Sequence, residues 1–171
     1  MQKIQDAIRN IPDFPKAGIQ FKDISPLLKN PLLLDSAVEM LVEPFNNKNI
    51  TAVAGMEARG FIFGSLAAIK LDAGFIPLRK PGKLPYEVNS ASYDLEYGSA
   101  SLEIHSDALG SDDKVLIVDD LIATGGTALA SCELVSGLQA EVVACAFLIE
   151  LDALGGREKL ADYIVHSLIH Y

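Results

Sequence analysis

Hydrophobic and polar positions follow two periods along the chain, and the changes between them predict its elements. Short, nearly continuous apolar runs are typical of strands buried in a parallel sheet, and apolar positions three and four residues apart indicate helices. The predicted strands cover 50–54, 74–79, 114–118, 141–151 and 163–169. The predicted helices cover 1–10, 31–45, 59–71, 127–138 and 155–161. Asn30 followed by Pro31 predicts the start of the second helix.

Three stretches interrupt this pattern. Residues 11–29 are irregular and rich in proline, and residues 81–92 carry turn-forming residues and few large apolar ones, which predicts a mobile loop. Residues 93–105 alternate with a period of two and predict a hairpin. Because strands otherwise alternate with helices, we expect one α/β domain over 1–171, with a mainly parallel twisted sheet flanked by helices.

Composition and charge narrow the classes of partner. The chain of 171 residues carries a net charge of −9, so we expect no basic face for nucleic acid. There is no amino-terminal signal pattern and no apolar run of membrane-spanning length, so no membrane partner is expected. Cys132 and Cys145 lie in apolar surroundings without metal-binding spacing, which predicts buried, reduced thiols in a cytoplasmic protein.

The most informative stretch covers residues 115–127. Four apolar residues form a buried strand, Asp119 and Asp120 follow them, and a glycine-rich turn opens a helix. Backbone N–H groups and a positive helix end suit a phosphate, whereas the carboxylates suit hydroxyl groups, so a phosphorylated sugar meets both requirements. The alternatives are an ordinary strand–turn–helix connection or half of a metal site, because the spacing matches neither common glycine-rich phosphate loop.

Several stretches together carry a family resemblance. Residues 115–127 resemble the phosphoribosyl pyrophosphate (PRPP) motif of the type I phosphoribosyltransferases, in a form similar to that of adenine-specific members. Residues 13–26 resemble the family's base-binding segment, and residues 55–61 resemble its pyrophosphate loop. Residues 79–85 and 91–98 resemble its catalytic flap. The motifs stand in colinear order and cover nearly the whole chain.

This resemblance implies a type I phosphoribosyltransferase fold, with a base-binding hood segment over 1–30 and a flexible loop over 80–98. It implies transfer of the 5-phosphoribosyl group of PRPP to adenine, giving AMP and pyrophosphate in purine salvage. Mg²⁺ is implied as the cofactor, held mainly by PRPP and not by protein side chains, which agrees with the lack of a metal-binding carboxylate cluster in the sequence. A homodimer is typical of the family.

The residues expected to bind PRPP lie in and beside the glycine-rich turn. Asp119 and Asp120 are expected to accept hydrogen bonds from the ribose hydroxyls. Because each stands at a predicted strand end, we expect its removal to reduce the reaction rate more than the stability. The 5′-phosphate is expected on the backbone N–H groups and hydroxyls of five consecutive residues, Ala123, Thr124, Gly125, Gly126 and Thr127.

Two groups of residues are expected to meet pyrophosphate. Glu57, Ala58 and Arg59 join a strand to a helix start, and the resemblance implies pyrophosphate contact there, with a non-proline cis peptide near Glu57–Ala58. The alternative for Arg59 is a surface ion pair. The second group is the densest basic cluster of the chain and consists of Arg79, Lys80 and Lys83. The alternative for this group is a run of charged residues that only contacts solvent.

The resemblance also assigns the acid/base and the adenine contacts. Glu96 is implied as the catalytic acid/base that handles the purine proton, whereas an exposed strand glutamate is the default. Adenine is implied to meet main-chain groups near Gln20 and Arg59, flanked by Phe21 and Lys22. Phe21 either stacks on the base or belongs to the core. Gln20 stands where a small apolar residue is expected, so an inward side chain would alter base specificity.

Three other functions share parts of this pattern. An enzyme acting on a 6-oxopurine or a pyrimidine would keep the PRPP motif. A PRPP-sensing regulator would bind the sugar without turnover, but such proteins usually need a DNA-binding extension. A flavodoxin-like binding module explains the alternation of strands and helices but not the colinear motifs.

Overall fold

A computed structural model describes residues 1–95 and 98–171, with side chains described outside 94–99. The chain divides into two compact units, Met1–Met40 and Leu41–Tyr171. Among the described residues, no helix has the length and apolar character needed to cross a bilayer.

The first unit is built on a short antiparallel hairpin. Its elements are α1 (Gln2–Asp6), β1 (Arg9–Pro12), β2 (Gln20–Asp23) and α2 (Ser25–Leu28). The prediction of a helix over 1–10 was therefore too long, and the prediction of irregular structure over 11–29 was wrong for β2 and α2. Each strand has only four residues, too few for a period of two to stand out, and prolines and glycine in the connection dominate the sequence signal.

Helix α3 (Pro31–Val42) begins as its sequence predicts. The backbone N–H of Leu33 donates to the side-chain oxygen of Asn30 at 3.2 Å, which is the expected N-cap bond. The helix ends at Val42 and continues as a 3₁₀ turn over Glu43–Phe45, because Pro44 has no backbone N–H to continue the α-helical pattern.

The second unit contains a five-stranded, wholly parallel sheet. Its strands are β3 (Ala52–Met56), β4 (Gly74–Leu78), β7 (Lys114–Ile122), β8 (Glu141–Glu150) and β9 (Val165–His170), in the order β4-β3-β7-β8-β9. Helices α4 (Gly60–Leu71) and α5 (Gly126–Gly137) flank it, and a 3₁₀ helix covers Gly156–Leu160. Residues Val115 to Val118 at the centre are fully buried. The predicted α/β class and parallel sheet are confirmed.

A second hairpin, β5 (Val88–Leu95) and β6 (Gly98–His105), pairs from Val88 with His105 to Leu95 with Gly98. The predicted loop over 81–92 was therefore wrong from residue 88 onward. Long-range pairing decides this segment, because β6 is anchored by the buried residues Leu102 and Ile104 and supplies partners for every residue of β5.

Strand β7 extends four residues beyond its predicted end at residue 118. Asp119 pairs with Phe147, and Ile122 pairs with Glu150, because the ten-residue β8 continues alongside. The two aspartates consequently lie within a central strand and not at its end, which corrects the premise of the expectation that their removal would cost little stability.

Candidate active site

Three loops meet at the carboxyl edge of the parallel sheet. Because β3 lies between β4 and β7, the residues after each of these strands are neighbours. The loops near residues 57, 79 and 123 therefore share one edge of the sheet. Parallel α/β sheets bind ligands at this edge, where helix N-termini also point.

A pocket of about 190 Å³ lies over the turn between β7 and α5. Gly125 has φ +77°, a left-handed conformation that glycine adopts without strain, and it forms the N-cap of α5. The first N–H groups of an α-helix lack partners within the helix, so this end of α5 offers donors to an anion. Predicted residues that line the pocket are Asp119, Ala123, Thr124, Gly125, Gly126 and Thr127.

Asp119 and Asp120 occupy different environments although they are adjacent. Asp119 lines the pocket, and its Oδ1 accepts the backbone N–H of Asp120 at 2.8 Å. The Asp120 carboxylate is 3% exposed, and its Oδ2 lies 3.0 Å from Nε of Arg59. The pair with Arg59 lacks hydrogen-bond alignment, so Asp120 Oδ2 is a buried acceptor without a hydrogen bond. The ion-pair alternative for Arg59 is thus observed, but with a buried partner.

Burial raises the pKa of both aspartates. For Asp119 the pKa lies well above its usual range, first because of desolvation and then because of the negative charge of Asp120. For Asp120 desolvation also dominates, while the guanidinium of Arg59 opposes the rise in pKa. Adjacent buried carboxylates that resist ionisation are typical of functional sites.

Gly60 is a site residue that the sequence reasoning missed. A Cβ atom at this first residue of α4 would stand 2.8 Å from Oδ1 of Asp119 and 2.9 Å from the carbonyl oxygen of Val118. Only glycine lets the start of α4 approach β7 this closely. The signal was available, since the glycine follows Arg59 at the predicted helix start.

Glu57 organises the basic segment after β4. Its Oε2 accepts a hydrogen bond from Nε of Arg79 at 3.2 Å and another from the backbone N–H of Lys80 at 3.0 Å. These bonds, led by the one from Lys80, lower the pKa of Glu57. The peptide bond between Glu57 and Ala58 is cis, as the resemblance implied. Arg79 also donates to the carbonyl oxygen of Lys83 at 3.3 Å, so the structure brings the predicted pyrophosphate residues of the two loops together.

Glu103 is a second residue that was missed. It pairs with Arg79 through two backbone hydrogen bonds, and its Oε2 accepts the N–H of Gly82 at 2.9 Å. The carboxylate therefore holds the turn between Lys80 and Lys83. No sequence signal distinguishes it, because Glu103 looks like an ordinary exposed residue of an alternating strand.

A brace behind the glycine-rich turn was also missed. A Cβ atom at Gly156 would overlap the carbonyl oxygen of Ala123, and one at Gly125 would overlap the carbonyl oxygen of Gly156. The adjacent Arg157 donates to both carboxylate oxygens of Glu150, at 2.9 and 2.5 Å. The Gly155–Gly156 doublet was the available signal.

Three of the four predicted adenine residues, Gln20, Phe21 and Lys22, lie in the hairpin of the first unit, whereas Arg59 is the N-cap residue of α4 in the second unit. Phe21 is half-buried and meets Phe14 edge to face, with ring centroids 5.2 Å apart, so it is not a fully buried core residue. The Gln20 side-chain oxygen accepts Nδ2 of Asn10 at 2.7 Å. Lys22 donates to the other end of the same asparagine amide at 3.2 Å. Glu96, the predicted catalytic residue, lies outside the described residues.

One group of potential metal ligands occurs among the described residues, and it lies apart from the pocket lining. Glu150, Asp152 and His170 place one ligand atom each within 4.8 Å of one another. Glu150 is already bonded to Arg157, and Nδ1 of His170 lies 2.8 Å from Asp152. None of the three is among the residues that line the pocket.

Comparisons with known proteins agree with this geometry. Residues 23–169 match the phosphoribosyl transferase domain family. The chain is 67% identical over 171 residues to the adenine phosphoribosyltransferase of Methylococcus capsulatus, covering 100% of both. It is similar to the crystal structure of adenine phosphoribosyltransferase from Rhodothermus marinus, with a TM-score of 0.95 and 54% identity over 99% of this chain and 97% of that one.

A third relative is solved with ligands. The Saccharomyces cerevisiae adenine phosphoribosyltransferase, complexed with adenine and an imino-altritol bisphosphate, has a TM-score of 0.91 and 43% identity, covering 97% of this chain and 96% of that one. The colinear motifs, the loop geometry and these matches lead to one conclusion. The chain belongs to the phosphoribosyltransferase family, among the adenine phosphoribosyltransferases.

Proposed function

We infer that this protein transfers the 5-phosphoribosyl group of PRPP to adenine and releases AMP and pyrophosphate. The observation that carries the inference is the pocket in which Asp119 and the amino end of α5 lie together. Such a pocket offers a carboxylate to a diol and N–H donors to a phosphate. The relatives that cover the whole chain are named for the same reaction, and salvage of free adenine is the corresponding role.

The residues of the pocket support separate assignments for the ribose and for the 5′-phosphate. We assign the 5′-phosphate to the turn from Ala123 to Thr127, where Thr124 and Thr127 add hydroxyl donors. Asp119 is assigned to the ribose hydroxyls, and Asp120 holds Arg59 and lies next to Asp119 in the strand. As the bond at C1′ breaks, positive charge develops on the ribose, and a nearby carboxylate stabilises it.

The basic residues beside the pocket are assigned to pyrophosphate. Arg79, Lys80 and Lys83 lie on one turn, which Glu57 and Glu103 hold from two sides. The cis-linked Ala58 joins this group to Arg59. Cations that are already positioned bind a leaving anion without a further ordering cost.

Adenine recognition is assigned to Gln20, Phe21, Lys22 and Arg59. Because the Gln20 amide is bonded to Asn10, its side chain does not compete with its backbone for the base. Backbone carbonyls that accept the adenine amino group would be left unpaired against a 6-oxopurine, at a cost of about 1–3 kcal/mol. This supports selectivity for adenine despite the departure at position 20.

Glu96 is proposed as the catalytic acid/base for the purine proton. It directly follows β5 in the sequence, and β6 begins two residues later at Gly98. A glutamine at this position would keep the size of the side chain and remove the proton acceptor. Glu96→Gln should lower kcat without changing the melting temperature; unchanged turnover would remove the assignment.

Mg²⁺ is proposed as the cofactor and would be held mainly by PRPP and not by protein side chains. The described residues around the pocket suit this, because Asp119 is the one carboxylate among its lining residues and Asp120 is paired with Arg59. A single carboxylate does not form a cage for a small octahedral cation, which keeps water and substrate oxygens as ligands. When bound, Mg²⁺ would neutralise charge on the leaving pyrophosphate.

Compartment and assembly are proposed on separate grounds. Cys132 and Cys145 are free thiols, buried with their sulfur atoms 3.5 Å apart, which supports a reducing cytoplasmic location. Large exposed side chains such as Ile69 on α4, 77% exposed, support burial of a further surface in a homodimer. Light scattering coupled to size-exclusion chromatography would distinguish a dimer from a monomer.

The decisive experiment is incubation of the protein with PRPP, Mg²⁺ and a panel of free bases, with nucleotide products resolved by chromatography. AMP formed only with adenine supports the assignment. Nucleotide product from hypoxanthine, guanine or a pyrimidine would show that the assigned substrate base is wrong. PRPP binding without any product would indicate a PRPP-sensing regulator. Omission of Mg²⁺ from a matched reaction tests the cofactor.

A further inference from the structure

The glycine-rich turn after β7 rests directly on the backbone of the 3₁₀ helix at Gly156. A Cβ atom at Gly156 would overlap the Ala123 carbonyl oxygen and stand 2.9 Å from the backbone nitrogen of Gly125. A Cβ atom at Gly125 would in turn stand 3.0 Å from the carbonyl carbon of Gly156. The two segments thus touch largely through main chain, which cannot adjust as a flexible side chain can, and the Ile122 side chain lies 2.9 Å from the same Gly156 position.

The residue after this contact is fastened to the sheet. Arg157 donates Nε and Nη2 to the two oxygens of the buried Glu150 and donates Nη1 to the carbonyl oxygen of Val165 at 2.9 Å. A planar guanidinium that is bonded on three nitrogens fixes both the position and the orientation of its backbone. The other end of the short helix is fixed by Leu160, which is 1% exposed.

The contacts of Arg157 also connect the 3₁₀ helix to the first residue of the glycine-rich turn. Glu150 is the register partner of Ile122, and Ile122 directly precedes the turn at Ala123. The N–H of Leu151 also donates to the carbonyl oxygen of Ile122 at 3.0 Å. The start of the turn is therefore held through Glu150, and its glycines are held through Gly156, with Arg157 joining the two supports.

We propose that Gly156 and Arg157 are positioning residues that set the place of the turn's N–H groups and thereby determine affinity for the 5′-phosphate of PRPP and AMP. The inference rests on the proposed function, because it concerns the ligand of the same pocket. Neither residue touches the reacting atoms. A displaced turn would weaken phosphate binding and leave the base contacts unchanged.

The test compares Arg157→Met with Lys159→Met. Both changes remove one positive charge from the same short helix, and Lys159 is exposed. We expect Arg157→Met to raise the KM for PRPP and the Kd for AMP by about tenfold. The KM for adenine and the Kd for adenosine, which has no phosphate, should stay within about twofold, and Lys159→Met should match the wild type in all four.

Gly156→Ala provides the second test, with the melting temperature of every variant measured alongside. If it folds, it should show the same selective loss for phosphate-bearing ligands; if it does not, Arg157→Met decides alone. Equal losses for AMP and adenosine, or no loss, in an active protein would overturn this inference alone. A wild-type protein that makes no AMP would overturn the proposed function and this inference with it.

Discussion

Two carboxylates on neighbouring strands have nearly the same low solvent exposure, but their pKa values are shifted in opposite directions. Asp120 on β7 is 3% exposed and Glu150 on β8 is 5% exposed. Burial raises the pKa of Asp120, whereas the hydrogen bond from Arg157 lowers the pKa of Glu150 against the opposing effect of burial. Low solvent exposure of a residue alone therefore does not decide whether a carboxylate in this sheet favours its charged state.

Two differences explain this contrast: more protein surrounds the Asp120 carboxylate, so desolvation dominates its pKa, and the cationic partners of the two carboxylates are aligned differently. Arg157 meets both oxygens of Glu150 with aligned N–H donors, while Arg59 approaches Asp120 at 3.0 Å without a hydrogen bond. Asp120 also has a second carboxylate, Asp119, beside it. The pair of Glu150 with Arg157 serves as a brace, whereas Oδ2 of Asp120 remains a buried acceptor without a hydrogen bond.

The largest effect is expected from Asp119→Asn, which removes the carboxylate next to Asp120. Because Asp119 lines the pocket, kcat/KM for PRPP should fall about 100-fold or more. The free energy of unfolding at neutral pH should not fall, since the buried like-charge repulsion is relieved. Steady-state kinetics and urea unfolding measure both, with the exposed Asp112→Asn as control. If Asp119→Asn lost activity and stability together, the proposed role of Asp119 in the pocket would be refuted.

Glu150→Gln tests the pair with Arg157 and should lower the free energy of unfolding by about 2 kcal/mol. This value is reduced from that of a fully buried pair because the Arg157 side chain is 45% exposed. Glu141→Gln breaks an ion pair with Lys114 in which both side chains are largely exposed, and should change stability by less than about 0.5 kcal/mol. Equal effects in urea unfolding would show that Glu150 is not a brace.

The pH dependence of stability sharpens the comparison further. Because the pKa of folded Asp119 is raised, its contribution to stability is present at low pH and is lost as pH rises through the raised value. Asp119→Asn lacks this loss, so it should be more stable than the wild type at neutral pH and equal to it below about pH 4. Unfolding curves across this range, without ligand, test the sign; a difference independent of pH would contradict it.

Glu57→Gln should lower the free energy of unfolding by less than Glu150→Gln does, by no more than about 1 kcal/mol, because the partner Arg79 is 32% exposed. The pKa of Glu57 is lowered, so its contribution is present at neutral pH and is lost as pH falls through the lowered value. Freed from Glu57, Arg79 and Lys80 should be less ordered, and the KM for PRPP should rise more than the KM for adenine. A larger effect on the KM for adenine would count against their assignment to pyrophosphate.

The residues of the candidate site were predictable where one short segment carries the chemistry. Residues 115–127 combine strand, acids, glycines and helix start in one stretch, and the structure places Asp119 and residues 123–127 around one pocket. The parallel direction of the sheet strands followed from their alternation with helices, whereas the order of the strands was not predicted. Gly60 and Gly156 were not predicted as site residues, because a close backbone approach depends on a partner distant in sequence.

The sequence by itself determined the α/β class, the family and the residue types of the glycine-rich turn after β7, because hydrophobic period and consecutive motifs are local properties. The tertiary structure alone decided that β7 continues through both aspartates, that β5 is a strand, and which arginine partners which acid. Strand length, carboxylate pKa and backbone contact all depend on distances between segments, and those distances exist only once the sheet has formed.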